Sequence, residues 1–188
     1  MIRILGADKE KRLLRLFDRG DASAMDRLYA EYADYLAGVC YRYVGNDDDM
    51  KDVLQEAFIK IFTRIGSFEY RGKGSLKAWM TRIVVNESLT FLRRNAAAAE
   101  TPINGDTPDT ADDTPATEGI DAATLMGMVA RLPEGYRVVF NLFAIEDLSH
   151  KEIARQLGIT PSTSASQYFK ARAMLARMIK ENKNNNNP

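Results

Sequence analysis

Between Asn95 and Gly119 the chain loses the helical spacing of apolar residues that marks the stretches on either side. The run AAAAETPINGDTPDTADDTPATEG is built from Pro, Thr, Asp and Ala and has almost nothing to bury, so it reads as a flexible linker. No hydrophobic core can pass through it. A chain of 188 residues broken in this way is expected to fold as two small helical domains, 1–94 and 122–181. An acidic tether at 95–121 joins them, and an asparagine-rich tail at 182–188 is expected to be disordered.

Charge divides at the same places. Residues 1–94 carry 17 Lys/Arg against 14 Asp/Glu, 95–121 carry seven acids and no Lys/Arg, and 122–188 carry nine Lys/Arg against five acids. The formal net charge of zero therefore hides two basic lobes and an acidic leash, a distribution compatible with a nucleic-acid partner. The single cysteine, Cys40, excludes an intrachain disulfide and a thiolate metal cluster, and its apolar helical setting suits an inert buried thiol. Charges interrupt the first 17 residues too often for a signal peptide, and no apolar run reaches membrane-spanning length. A cytoplasmic protein without direct membrane insertion is expected.

Both lobes read as all-α. In the first, Leu13, Leu14 and Phe17 belong to a helix ending near Gly20. Asp21 is placed to cap a second helix, with Ala24, Met25, Leu28, Tyr29 and Tyr32 continuing through Tyr43 to Gly45. Asp47-Asp48-Asp49 opens a third, where acids favour a helix N-terminus, with Val53, Leu54, Ala57, Phe58, Ile61 and Phe62 as its stripe. After a loop, Ser67 to Gly74, a fourth runs from Ser75 to Arg94. In the second lobe, helices are expected over 122–131 and from Leu132-Pro133-Glu134 onward.

The stretch from Ser149 to Lys180 has the form of a helix-turn-helix. Ser149 and Glu152 make a capping box, Ile153, Ala154 and Leu157 keep helical spacing, and Gly158 suits a left-handed C-terminal turn. Thr160-Pro161 then supplies an N-cap and an N1 proline for a longer helix. On that helix Ser164, Tyr168, Ala171, Leu175 and Met178 share an inward stripe, while Ser162, Ser166, Phe169, Lys170, Ala173 and Arg177 face away. Small hydroxyls near the N-terminus suit base edges and phosphates, and Phe169 suits a methyl or sugar contact or else covers a neighbouring helix. A purely structural helical hairpin has the same outline.

In their order and spacing, Asp52-Val53-Leu54-Gln55-Glu56-Ala57-Phe58, Tyr70-Arg71-Gly72, Ser75-Leu76-Lys77-Ala78-Trp79-Met80 and Arg82-Ile83-Val84-Val85-Asn86 resemble one family, as do Leu132-Pro133-Glu134-Gly135-Tyr136-Arg137, Ser149 to Ala154 and Lys170-Ala171-Arg172. The chain resembles the extracytoplasmic-function (ECF) group of the bacterial sigma-70 factors, which retain only the second and fourth regions of the family. The resemblance implies a dissociable subunit of RNA polymerase that has no active site, cofactor or small-molecule substrate. Its partners are core polymerase (β′ clamp helices and β flap), promoter DNA and an anti-sigma factor.

It further implies that Asp52, Gln55 and Glu56, on one helix side, dock on the clamp helices; otherwise they form a solvated face. Tyr70 and Asn86 line a pocket for a base flipped from the −10 element, while Arg71, Lys77 and Arg82 neutralise phosphates. Trp79 suits either core or DNA. For the −35 element the family pattern points to Ala165, Ser166, Phe169 and Lys170, with Ser162 and Thr163 beside them. Ala165 stands where a basic residue is common, and Lys170 gives up the bidentate guanine contact of an arginine. The acidic leash either threads a basic polymerase channel or serves as a tether.

Two other functional classes fit the sequence less well. A helix-turn-helix regulator with an N-terminal sensor or dimerisation domain has no need of an aromatic and cationic loop like 68–79. An enzyme lacks support: the one histidine, His150, sits in the capping box, and Asp47-Asp48-Asp49 lacks the glycine and terminal glutamate of a calcium loop.

Overall fold

The computed structural model describes residues 7–98 and 120–186. They form eight α-helices in two compact units that divide between Ala99 and Glu100, and no strand occurs among them. Most of the 95–121 tether lies outside the described residues.

The first unit holds α1 (Ala7–Asp18), α2 (Ala24–Val44), α3 (Asp47–Arg64), a single 3₁₀ turn (Ile65–Ser67) and α4 (Ser75–Ala98). Sharp chain reversals separate the helices. Gly45 ends α2 with φ of 85° and its N–H on Tyr41 O, and Asn46 accepts from Asp49 N at 2.9 Å to start α3. Asp21 does not cap α2 as expected. It bonds the N–H and hydroxyl of Ser23, both at 2.8 Å, and Ser23 precedes the helix. The short aspartate side chain is used up closing the turn.

Leu28, Leu36, Val39, Tyr43, Ile61, Leu76, Met80 and Val84 are buried between α2, α3 and α4. Each such side chain contributes about 1.5–3 kcal/mol by leaving water. Met25 and Tyr29, expected within the apolar stripe of α2, are instead about half exposed. Cys40 is fully buried and burial pushes its thiol pKa up, which keeps it protonated and unreactive. The helix expected to stop at Arg94 continues through Ala98, because alanine is the best helix former and prolongs a helix already nucleated.

The second unit comprises α5 (Ala122–Ala130), α6 (Glu134–Phe140), one π turn (Asn141–Ile145), α7 (His150–Leu157) and α8 (Pro161–Asn186). Met128, Val129, Leu132, Tyr136, Ala171, Leu175 and Ile179 make one cluster of its core, and Val139, Leu142 and Ile153 are fully buried as well. Arg137 is buried beneath them, and its Nη1 donates to Ala130 O at 3.0 Å and Leu132 O at 3.1 Å. A charged fork thereby closes the carbonyl end of α5, where a helix dipole favours a cation. The tail expected to lack structure from residue 182 is helical to Asn186, since each residue added to a long helix costs little.

Candidate functional site

α7 and α8 form the expected helix-turn-helix, and its joints are made by the anticipated residues. Ser149 and Glu152 complete a reciprocal capping box, with Ser149 N donating to Glu152 Oε2 at 2.8 Å. These bonds, the Ser149 hydroxyl first, hold the Glu152 carboxyl below its ordinary pKa. Gly158 adopts φ of 72°, and its N–H and that of Ile159 both close on Ala154 O. Thr160 Oγ1 accepts from Thr163 N at 3.0 Å and pairs with the Thr163 hydroxyl at 2.8 Å. A clamp not foreseen from sequence spans the two helices: His150 Nδ1 lies 3.0 Å from the buried Ser164 hydroxyl. The imidazole also stacks on Phe143, with centroids 4.4 Å apart, and Phe143 packs on Tyr168.

The faces of α8 divide nearly as expected. Ser164, Ala171 and Leu175 are buried, while Ser162, Thr163, Ala165, Ser166 and Phe169 are exposed and Lys170 is half-buried. Phe169 leaves 39% of its surface in solvent, so a substantial part of the ring is open to a partner. The inner stripe also includes Gln167 and Ile179, and Tyr168 and Met178 sit at its half-buried margin.

In the first unit, Asp52, Gln55 and Glu56 are all exposed on one side of α3, above Val53, Leu54 and Ala57, which are buried. Ile59, 49% exposed, extends that face by one turn. On α4, Arg82 and Asn86 are exposed and continue the stripe begun by half-buried Trp79. Phe68 lies against the Trp79 ring, with centroids 5.2 Å apart, which anchors the start of the loop. Trp79 thus has a packing role. Lys77 does not share the Arg82 stripe: five residues of helix place it about 140° away. Its Nζ sits 3.7 Å above the Tyr35 ring of α2. Arg71 is exposed beside Glu69, and Tyr70 is half-buried with Lys11 Nζ 5.1 Å from its ring centre.

The loop is also held by a residue that sequence reasoning passed over. Glu10 of α1, 6% exposed, accepts from Gly74 N at 3.0 Å and from Lys77 N at 3.3 Å. Its 64-residue separation from Gly74 left no local signal. Among the described residues no group of His, Cys, Asp and Glu is arranged to hold a metal ion, and no helix is long and apolar enough to cross a membrane.

Comparison with known proteins agrees with this arrangement. Residues 28–98 match the family described as Sigma-70 region 2, and residues 122–175 match Sigma-70, region 4. The chain is 30% identical to the ECF RNA polymerase sigma-E factor of Haemophilus influenzae, over 90% of this chain and 95% of that one. It is 28% identical to the RNA polymerase sigma-H factor of Pseudomonas aeruginosa, over 94% and 96% of the two chains. Among solved structures, the sigma factor RpoE in complex with the anti-sigma factor NepR from Bartonella quintana shares the fold, with a TM-score of 0.50 at 21% identity. That comparison covers 85% of this chain and 98% of that one. An N-terminal sensor or dimerisation domain is set aside by the region 2 match. Two sigma-70 regions in one chain, matched nearly end to end by ECF factors, establish the family: the chain belongs to the ECF group of sigma-70 RNA polymerase sigma factors.

Proposed function

We propose that this sigma factor brings core RNA polymerase to its promoters by two separate readings of DNA. The second unit lays the first two turns of α8 in the major groove of a −35 element. There Ser162, Thr163, Ala165 and Ser166 approach base edges and backbone, Phe169 meets a methyl or sugar, and Lys170 meets a phosphate. The first unit holds the melted non-template strand of the −10 element. Tyr70 stacks on a base taken from the duplex, Asn86 reads its edge, and Arg71 and Arg82 follow the phosphates, with Lys77 reaching them from another face of α4. Asp52, Gln55 and Glu56 seat the unit on the β′ clamp helices, and the second unit meets the β flap. An anti-sigma protein completes the set of partners.

In this reading the subunit acts in the cytoplasm and contributes binding energy alone; it uses no cofactor and catalyses no bond change. The observation that carries it is the division of α8, whose outward face at the N-terminal turns holds small hydroxyls and one exposed phenylalanine while α7 is clamped behind it. The test is reconstitution with core polymerase on a promoter library, mapping the transcript starts. A shared pair of upstream elements among the selected promoters is expected. Transcripts that start at the sites used by core enzyme alone would refute it.

A further inference from the structure

The Glu10 carboxylate completes a helix cap that α4 cannot make for itself. In a capping box, the N-cap side chain bonds the N–H of the third helical residue, whose own side chain bonds the N-cap N–H. The N-cap of α4 is Gly74, whose carbonyl takes the first helical bond from Ala78 N at 2.9 Å. Glycine has no side chain to offer, and the third helical residue is Lys77, which has no acceptor. Glu10 supplies both halves from another helix: Oε2 takes the Gly74 N–H and Oε1 takes the Lys77 N–H. The next residue, Lys11, sets its ammonium against the Tyr70 ring at 5.1 Å. Leu13, buried, and the Lys9–Glu31 ion pair at 2.5 Å fix α1 against α2.

We propose that α1, which lies before the residues matched to Sigma-70 region 2, is a working part of the −10 site. Glu10 is a positioning residue that sets the loop 70–74 and the first turn of α4, and Lys11 backs the ring on which the flipped base stacks. This rests on the reading of Tyr70 given above. A carboxylate bonded to two N–H groups at a helix start is also favoured by the helix dipole, so the cap is stiff where an uncapped glycine start would fray. One face of the Tyr70 ring is held by the cation, and in this proposal the base stacks on the other.

The test uses the full chain assembled with core polymerase, on a promoter carrying 2-aminopurine in the −10 non-template strand. Its fluorescence rises when the base unstacks. Amide exchange of the free chain is followed in parallel. Loss of two charge-assisted bonds in Glu10→Ala should speed exchange across 72–78 by roughly tenfold or more, leaving the middle of α2 and α3 unchanged. The fluorescence rise should fall at least about threefold while closed-complex formation stays within about twofold. Glu10→Gln, which keeps one carbonyl acceptor, should fall between, and Lys11→Ala should reduce the rise with exchange at 72–78 unchanged. Tyr70→Ala is the reference. If it abolishes the rise while Glu10→Ala and Lys11→Ala leave it intact, the role of α1 is overturned and the strand pocket stands. Exchange speeding throughout the unit in Glu10→Ala, with closed and open complexes lost together, also overturns positioning in favour of plain stability. If Tyr70→Ala leaves the rise intact, the strand-pocket reading fails and this proposal with it.

Discussion

Replacing His150 with alanine measures what holds α8 at its angle. The imidazole makes one hydrogen bond, at 3.0 Å to a serine hydroxyl with no solvent exposure, and one close stack, on Phe143 at an interplanar angle of 14°. A net hydrogen bond contributes about 0.5–1.5 kcal/mol, and more when its loss strands a buried group. The aromatic contact adds about 0.5–1.5 kcal/mol. Together they amount to about 1–3 kcal/mol, against a total of only about 3–10 kcal/mol for a domain of this size. At about 4–8 °C per kcal/mol, the transition of the second unit should fall by about 4–24 °C in calorimetry of the full chain. Affinity for a −35 duplex should fall with it even at temperatures where the unit stays folded, because α7 no longer fixes α8. A double-mutant cycle with Ser164→Ala isolates the bond, and we expect a coupling of about 1 kcal/mol. Coupling below about 0.3 kcal/mol, or a transition unmoved in His150→Ala, would refute the clamp.

Other outcomes follow from the same geometry. Glu152 has its folded pKa held below the ordinary 4.5, so its stabilisation is complete above that value and disappears as pH falls through the folded value. Glu152→Gln should therefore be less stable than the parent at neutral pH and equal to it in strong acid; a gap that persists in acid would contradict the capping box. Tyr32, whose hydroxyl is pushed up to about 12 by burial and then by Glu10 and Glu31, should stay protonated through pH 10. The stability it contributes is present below 10 and lost as pH rises through about 12. Absorbance titration at 295 nm should show a late step that Tyr32→Phe removes. Phe169→Ala should weaken the −35 complex by about 1 kcal/mol or more and leave thermal stability within about 0.5 kcal/mol; an equal loss of both would place the ring in the core. Lys170→Ala should lower the salt slope of −35 binding by about 1, and an unchanged slope would remove its phosphate role.

What could be read without coordinates was whatever depends on neighbours in the chain. Ser149 to Glu152, Gly158 and Thr160-Pro161 fix their turns through bonds spanning a few residues, and the structure has each of them. The α3 stripe followed from period 3.6 alone. Met25 and Tyr29 lie at a suitable spacing yet stay about half exposed, and even the packing of the Tyr29 ring on Phe58 of α3 leaves much of it in solvent, which spacing alone does not reveal. Gln167 was missed for the opposite reason, being polar on a stripe that the core nevertheless covers. The bonds of His150 and Glu10 depend on where whole helices come to lie, and no local pattern encodes them. Lys77 was grouped with Arg82 by proximity in sequence, whereas helical rotation separates them.

The 26 residues of α8 extend over roughly 39 Å, and its duties are partitioned along that length. Positions 162, 165, 166 and 169 face outward near one end, while Ala171, Leu175 and Ile179 are locked inside further on. Mutations can therefore accumulate at the outward positions without eroding the fold, and under the proposed reading of these positions such single, individually tolerated steps would change which promoters are chosen.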